Sequence, residues 1–205
     1  VTDATPYTIA PLAPAAPVLL RDFTLRVKDA ALLDMATSKP RIESAIASVW
    51  RGLTDNDHFN ALVFAAGLGV REIEVVRAYS RYLQQLDFPY SQQFIAQALV
   101  SHATITRQLV QLFDARFNPT QKNRDVHAAE LKTAIEAALE HITNLAEDRV
   151  IRRILALIQA SLRTNFYQKN AAGEFKEYLS IKLRSALVPD MKLPIPYAEI
   201  FVTSM

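Results

Sequence analysis

The sequence predicts a mainly α fold: a helical bundle of about seven helices, with a few short β-strands from the chain ends. Three observations carry that expectation. From about residue 38 to 167, apolar residues recur at helical spacing, and the stretches are separated by capping residues, glycine or proline. Near both ends the period drops to two, in DFTLRVK (22–28) and LSIKL (179–183). Half of the 205 residues are hydrophobic and 21% are charged, which suits a soluble core rather than a disordered chain.

The elements follow in order. Residues 1–19 are rich in Pro and Ala; proline fixes φ and removes a donor, so this arm is expected to be extended. In 22–28, Phe23, Leu25 and Val27 alternate with Thr24 and Arg26, as in a half-buried strand. A lone strand is not stable, and 178–183 and 199–202 are the later strands available to pair with it. Ser38 with Pro40 just inside opens a helix near 41–51. Thr54 or Asp55 caps a second near 56–66, and Gly67 stops it. A third, near 69–86, carries a stripe of Ile73, Val76, Tyr79, Tyr82 and Leu83, with Arg71, Glu72, Glu74 and Arg81 at polar positions. Ser91 caps a fourth near 92–101, and a fifth runs near 103–116 with Leu109, Leu112 and Phe113 inward. After the polar linker 119–125, helices near 126–143 and 146–167 are joined by a short break, which predicts an antiparallel hairpin. Their stripes are Leu131, Ile135, Ala138, Leu139 and Ile142, and Val150, Ile154, Leu157, Ile158 and Leu162. LPIP (193–196) must be extended, and EIFV (199–202) reads as a short strand. Helix lengths and breaks are irregular, so no internal repeat is present.

Composition removes several function classes. Lys plus Arg is 23 and Asp plus Glu is 21, so the net charge of +2 predicts neither nucleic acid nor an anionic membrane as partner. Without cysteine there are no disulfides, thiolate metal sites or thiol nucleophiles. Four scattered glycines do not make a phosphate-binding loop. The apolar stretch 150–162 contains two arginines and is too short for a membrane span. The N-terminus lacks a basic start and is interrupted by Pro6, Pro11, Pro14 and Pro17, unlike a signal peptide. It begins on Val1 rather than Met, and so reads as a piece of a longer polypeptide.

Few residues suggest chemistry. His127 and Glu130 are three apart, and Glu136 and Glu140 are four apart beside His141. A bundle di-metal site needs two Glu-x-x-His pairs and more carboxylates, so these read as a solvated face. No G-x-S-x-G is present; His58, after an aspartate at a helix start, and His102, at a helix junction, read as capping or packing residues. Arg149, Arg152 and Arg153, with Arg163 eleven residues beyond Arg152, form a basic cluster. Such a cluster can hold an anion, but Glu147, Asp148 and acids on the neighbouring helix nearly balance it, which favours ion pairing. Trp50, Phe113, Phe117, Phe166 and Tyr167 fall at stripe positions or helix ends, as core and end-sealing residues do.

Five stretches resemble one family, the large bacterial NAD-specific glutamate dehydrogenases. They are FNALVFAAGLGVREIEVVRAYSRYLQQ (59–85), LVQLFDARFNP (109–119), LAEDRVIRRILALIQASLRTNFYQ (145–168), YLSIKL (178–183) and LPIPYAEIFVTS (193–204). LFDARF, DRVIRR, LRTNFYQ and EIFV in this order make the combination specific. Gly69, Ala146, Thr203 and Met205 depart from the usual family residues.

The resemblance implies a helical segment immediately upstream of the catalytic region of an enzyme that oxidises L-glutamate to 2-oxoglutarate and ammonium while reducing NAD. It implies no catalytic, cofactor-binding or metal-binding residue within this chain, because the family's glycine-rich substrate stretch, catalytic lysine and dinucleotide fold follow the EIFV strand. The expected organisation is an extended arm (1–21), a helical domain with a leading strand (22–175) and a β-rich segment (176–205). The expected role is structural, oligomer-contacting or relaying, in a cytoplasmic homo-oligomer, with NAD a cofactor of the whole enzyme only. Other domains of the same polypeptide are the expected partners. A free-standing helical module that binds a protein partner is the alternative.

Overall fold

The computed structural model of the chain describes residues 2–10, 16–24 and 34–204, with Met35 as backbone only. The chain divides into two compact units, Val1–Met35 and Ala36–Met205.

In the first unit, β1 (Asp3–Ile9) and β2 (Val18–Thr24) form an antiparallel hairpin, in register from Asp3 opposite Thr24 to Ile9 opposite Val18. This corrects the pairing expected from sequence: residues 22–24 belong to β2, whose partner is the N-terminal arm rather than either C-terminal strand. Residues 25–28 lie outside the described ones. The prolines that argued for a merely extended arm do not prevent pairing. Among the described residues β1 has one strand neighbour, and an edge strand tolerates Pro6 when the missing N–H falls on its open side. A local hairpin also closes a far shorter loop than a pairing across the whole chain.

The second unit is the helical bundle. α1 spans Met35–Trp50, starts earlier than Ser38 predicted, and carries Pro40 inside it at the loss of one intrahelical bond. Trp50, expected in the core, is 87% exposed at its end. A 3-10 turn, His58–Ala61, leads into the short α2 (Leu62–Ala65). The cap is Asp57, whose carboxylate accepts from the Phe59 amide, rather than Thr54 or Asp55. Gly67 follows α2 at φ +63°, as expected of a helix-stopping glycine. α3 (Val70–Gln85), α4 (Gln92–Ser101) and α5 (Ala103–Phe117) lie close to their predicted bounds, and Ser91 caps α4 by accepting from the Phe94 amide.

α3 is the central element. Its five stripe residues are buried, and so are Val75, Arg77, Ala78, Ser80 and Glu74, so water reaches little beyond its ends. α6 (Arg124–Leu139) packs chiefly along α5 and makes a smaller contact with α7 (Leu145–Ala160). The short break between α6 and α7 therefore does not make them the main helix pair. α7 buries Val150, Ile151, Ile154, Leu155, Leu157 and Ile158.

α7 stops seven residues before the predicted end. Ser161–Thr164 is strand β3, and Leu162, read as part of the helical stripe, is exposed. β3 pairs with β4 (Tyr178–Leu183), and β4 pairs with β5 (Glu199–Ser204), all antiparallel, giving the order β3-β4-β5. Leu179, Ile181, Leu183 and Phe201 point into the helical core. No described helix is long and apolar enough to cross a membrane.

Candidate functional site

The distinctive arrangement is a set of polar contacts through which α3 holds the three-stranded sheet. Near its start, Arg71 donates to the Phe166 carbonyl at 2.6 Å, and its guanidinium lies 4.6 Å from the Phe166 ring and 3.9 Å from the Phe175 ring. Burial lowers the pKa of this guanidinium. Two turns on, the Tyr79 hydroxyl lies 2.8 Å from Ser161 Oγ at the first residue of β3. Ser161 Oγ itself donates to the Leu157 carbonyl at 2.8 Å, so Tyr79 is the donor of the pair. Burial pushes the Tyr79 phenol well above its ordinary pKa and keeps it a neutral donor.

The last turns of α3 reach β5. Arg81 donates to Thr203 Oγ1 at 2.6 Å and to the Ser204 carbonyl at 2.9 Å, and pairs with Asp55. The Tyr82 hydroxyl donates to the Glu199 carboxylate; burial first, and then that negative partner, raise the phenol's pKa. These residues follow from helix geometry. Positions 71, 79 and 82 are separated by eight and three residues, which returns them to neighbouring sides of the helix. Other elements complete the grip. Arg116 of α5 donates to the carbonyls of Gln159 (3.2 Å) and Ser161 (3.0 Å), capping the end of α7. The Asn165 side chain bridges the Tyr178 carbonyl and the Ser180 amide at 2.9 and 2.7 Å. Tyr79→Phe is expected to cost about 0.5–1.5 kcal/mol in urea unfolding, since Ser161 keeps its bond to Leu157; a loss above about 3 kcal/mol would mean the hydroxyl does more than join α3 to β3.

Beneath this brace lies a buried charged node. Arg77 is 1% exposed and uses all five donors. Nε and Nη2 grip the Asp57 carboxylate at 2.7 and 2.8 Å, Nη2 also reaches Asn60 Oδ1 at 3.0 Å, and Nη1 donates to Thr54 Oγ1 at 3.0 Å and to Glu74. Thr54 donates in turn to Glu74. Burial opposes the charge of Arg77, but the Asp57 bond and the Glu74 charge outweigh it and raise its pKa.

The residues weighed from sequence are placed as follows. Arg149, Arg152 and Arg153 line a groove of about 470 Å³ with Tyr90 and Pro189. Arg152 binds Asp148 and Glu140, as the balance of charges predicted, whereas Arg153 binds Asp190, which lies beyond the Ser185–Leu187 turn and on no neighbouring helix. Arg149 instead lies 5.7 Å from the Phe88 ring, and Glu147 pairs with His102 (2.7 Å) rather than with an arginine. Arg163 is on β3, away from the helix that was to align it with Arg152. His127 and Glu130 are exposed at 3.8 Å, Glu136 pairs with Lys132, and Glu140 with Arg152. Among the described residues no three His, Asp or Glu side chains gather as metal ligands. Phe113 is buried, and Phe117, Phe166 and Tyr167 pack against the core. Sequence reasoning missed Arg77 and the bracing role of α3; the available signal was a helix with Arg and Glu among otherwise uninterrupted core positions.

Two family models match the chain. Glutamate dehydrogenase, helical motif 3, matches residues 54–119, and the catalytic domain of bacterial NAD-glutamate dehydrogenase matches residues 134–205. An NAD-specific glutamate dehydrogenase of Halomonas elongata is 38% identical over 185 residues, covering 90% of this chain and 12% of the relative. The enzymes of the same name from Pseudomonas aeruginosa (37% over 189 residues; 90% and 12%) and Mycobacterium tuberculosis (37% over 176 residues; 83% and 11%) are similar. The chain belongs to the large NAD-specific glutamate dehydrogenase family. It spans roughly an eighth of the length of these curated relatives. In glutamate dehydrogenase terms, α3 lies in the helical-motif match and all three strands of the sheet lie in the catalytic-domain match. That match begins within α6, well before the β-rich segment expected to lead toward the catalytic region.

Proposed function

We propose that this chain is the helical brace of a large NAD-dependent glutamate dehydrogenase and holds the β3-β4-β5 sheet of the catalytic domain in place without taking part in the chemistry. The whole enzyme would convert L-glutamate, NAD and water to 2-oxoglutarate, ammonium and NADH, in the cytoplasm and as an oligomer. The observation that carries this reading is the set of α3 side chains that cross from the helical-motif match to the catalytic-domain match: Arg71 to Phe166, Tyr79 to Ser161, Arg81 to Thr203 and Ser204, and Tyr82 to Glu199. Such contacts position a sheet to within the tolerance that catalysis needs, because a misplacement of about 1 Å can cost about 100-fold in rate.

The test is made in the full-length enzyme. Arg81→Ala combined with Tyr82→Phe should lower NAD-dependent glutamate oxidation about tenfold or more while leaving the protein folded. Unchanged activity would mean that α3 does not set the position of the sheet. This chain alone should show neither the activity nor calorimetric NAD binding at micromolar affinity; binding there would refute the non-catalytic reading.

A further inference from the structure

We infer that the free edge of β5 is a docking edge, and that its occupant is a β-strand of the same polypeptide's catalytic domain from beyond the residues of this chain. The inference rests on the reading of this chain as part of a glutamate dehydrogenase catalytic unit.

The two edges of the β3-β4-β5 sheet are built differently. An edge strand presents unpaired N–H and C=O groups, and proteins blunt such edges with short strands, bulges, charges or proline. β3 has those devices: it is four residues long, its register breaks between Ser161 and Arg163, and it carries that arginine. β5 has almost none. It runs six residues in unbroken register with β4, from Glu199 opposite Leu183 to Ser204 opposite Tyr178, and has no Pro, Lys or Arg. Alternate backbone groups of a strand paired on one side point away from its neighbour. Among the described residues no backbone hydrogen bond reaches β5 from that side; the Arg81 bond to the Ser204 carbonyl occupies its last residue alone. Nor does the outer face turn polar toward water. Ile200 is 65% exposed and Val202 56%, and the approach to the strand exposes Leu193, Ile195 and Tyr197. A regular, unprotected edge with apolar side chains beside it is the pattern of a strand that continues into a larger sheet.

The choice of occupant follows from two further facts. The catalytic-domain match takes in β3, β4 and β5, so the sheet belongs to that domain, and the curated relatives hold about seven-eighths of their length outside the region this chain covers. A strand supplied in the same polypeptide meets β5 at a high effective concentration, which a second copy does not.

The test uses the full-length enzyme with the photo-cross-linking residue p-benzoylphenylalanine in place of Val202. After illumination, the proposal expects a product of monomer mass on a denaturing gel, with peptide mapping joining residue 202 to a segment C-terminal to this chain. A product of dimer mass would assign the edge to a contact between copies and overturn the proposal. No cross-link above that of the same residue placed at the exposed position 145 would show an open edge, and would also overturn it. In the unsubstituted enzyme, hydrogen exchange should find all β5 amides, including the alternate ones that β4 does not bond, at least about 100-fold slower than those of Leu193, Ile195 and Tyr197; rates at those alternate amides equal to the rates at Leu193, Ile195 and Tyr197 would overturn the proposal independently of how the variant folds. Glutamate oxidation by the same preparation reports separately on the reading of function, since an enzyme can be active with this edge open.

Discussion

Replacing Arg77 with Ala should destabilise the chain by about 3–5 kcal/mol. The reason lies less in the attractions lost than in the charges left behind. Arg77 satisfies Glu74, which is buried with it, and grips Asp57, whose carboxylate also caps the 3-10 turn that begins at His58. Without the guanidinium, Glu74 keeps only its bond from Thr54, and a buried carboxylate must either stay charged at high cost or take up a proton. Arg77→Lys should recover little, because an ammonium cannot make the two parallel bonds to Asp57 or reach all five acceptors. Removing both charges, as Arg77→Met with Glu74→Leu, should cost less than Arg77→Ala alone, since the buried anion goes as well. Urea unfolding of the unsubstituted chain and these variants checks this. A loss below about 1 kcal/mol for Arg77→Ala, or a double variant that loses more than Arg77→Ala, would mean the node does not hold the Thr54–Asn60 segment against α3.

This node shows where sequence reading stops. The stripe Ile73, Val76, Tyr79, Tyr82 and Leu83 was legible because helical spacing places those residues on one face, and all five are buried. Glu74 was assigned to the polar side by the same spacing, yet it is buried too, because α3 is surrounded by its neighbours and its second face meets the Thr54–Asn60 segment. Periodicity reports the face of a helix that meets the core, and a helix enclosed on both sides has no solvent face to contrast with it. The end of α7 failed for a related reason. Leu162 and Phe166 continue an apolar pattern from Leu157 and Ile158, and nothing local contradicts a helix. The break is made by tertiary bonds: Arg116 takes the carbonyls of Gln159 and Ser161, Tyr79 takes the Ser161 hydroxyl, and β4 takes the backbone beyond. The N-terminal hairpin was missed because prolines mark extended chain without naming its partner. The arginine cluster, by contrast, was legible in its main outcome, since counting nearby carboxylates is a local operation and Arg152 found Asp148 four residues away. The bracing contacts of α3 were not, because they join residues 82 to 123 positions apart.

Leu157→Ala should cost about 2–5 kcal/mol, and its position makes the effect reach beyond the cavity it leaves. Leu157 is fully buried on α7 among Ile154, Ile158 and the helices packed against them, so the loss combines the transfer of the removed carbons with a void that close-packed neighbours fill only partly. Its carbonyl accepts the Ser161 hydroxyl, which in turn accepts from Tyr79. A shift of the α7 backbone into the void therefore moves the acceptor that orients Ser161 and weakens the tie between α3 and β3. The two substitutions should then couple: Leu157→Ala with Tyr79→Phe is expected to cost less than the sum of the single losses by at least about 0.5 kcal/mol, as for groups that share a partner. Leu145→Ala, on the exposed first turn of the same helix, serves as the control and should change stability by no more than about 0.5 kcal/mol. Strict additivity would separate the packing of α7 from the placement of β3. A Leu157→Ala loss as small as that of the control would place this face of α7 in solvent and remove the helix from the core.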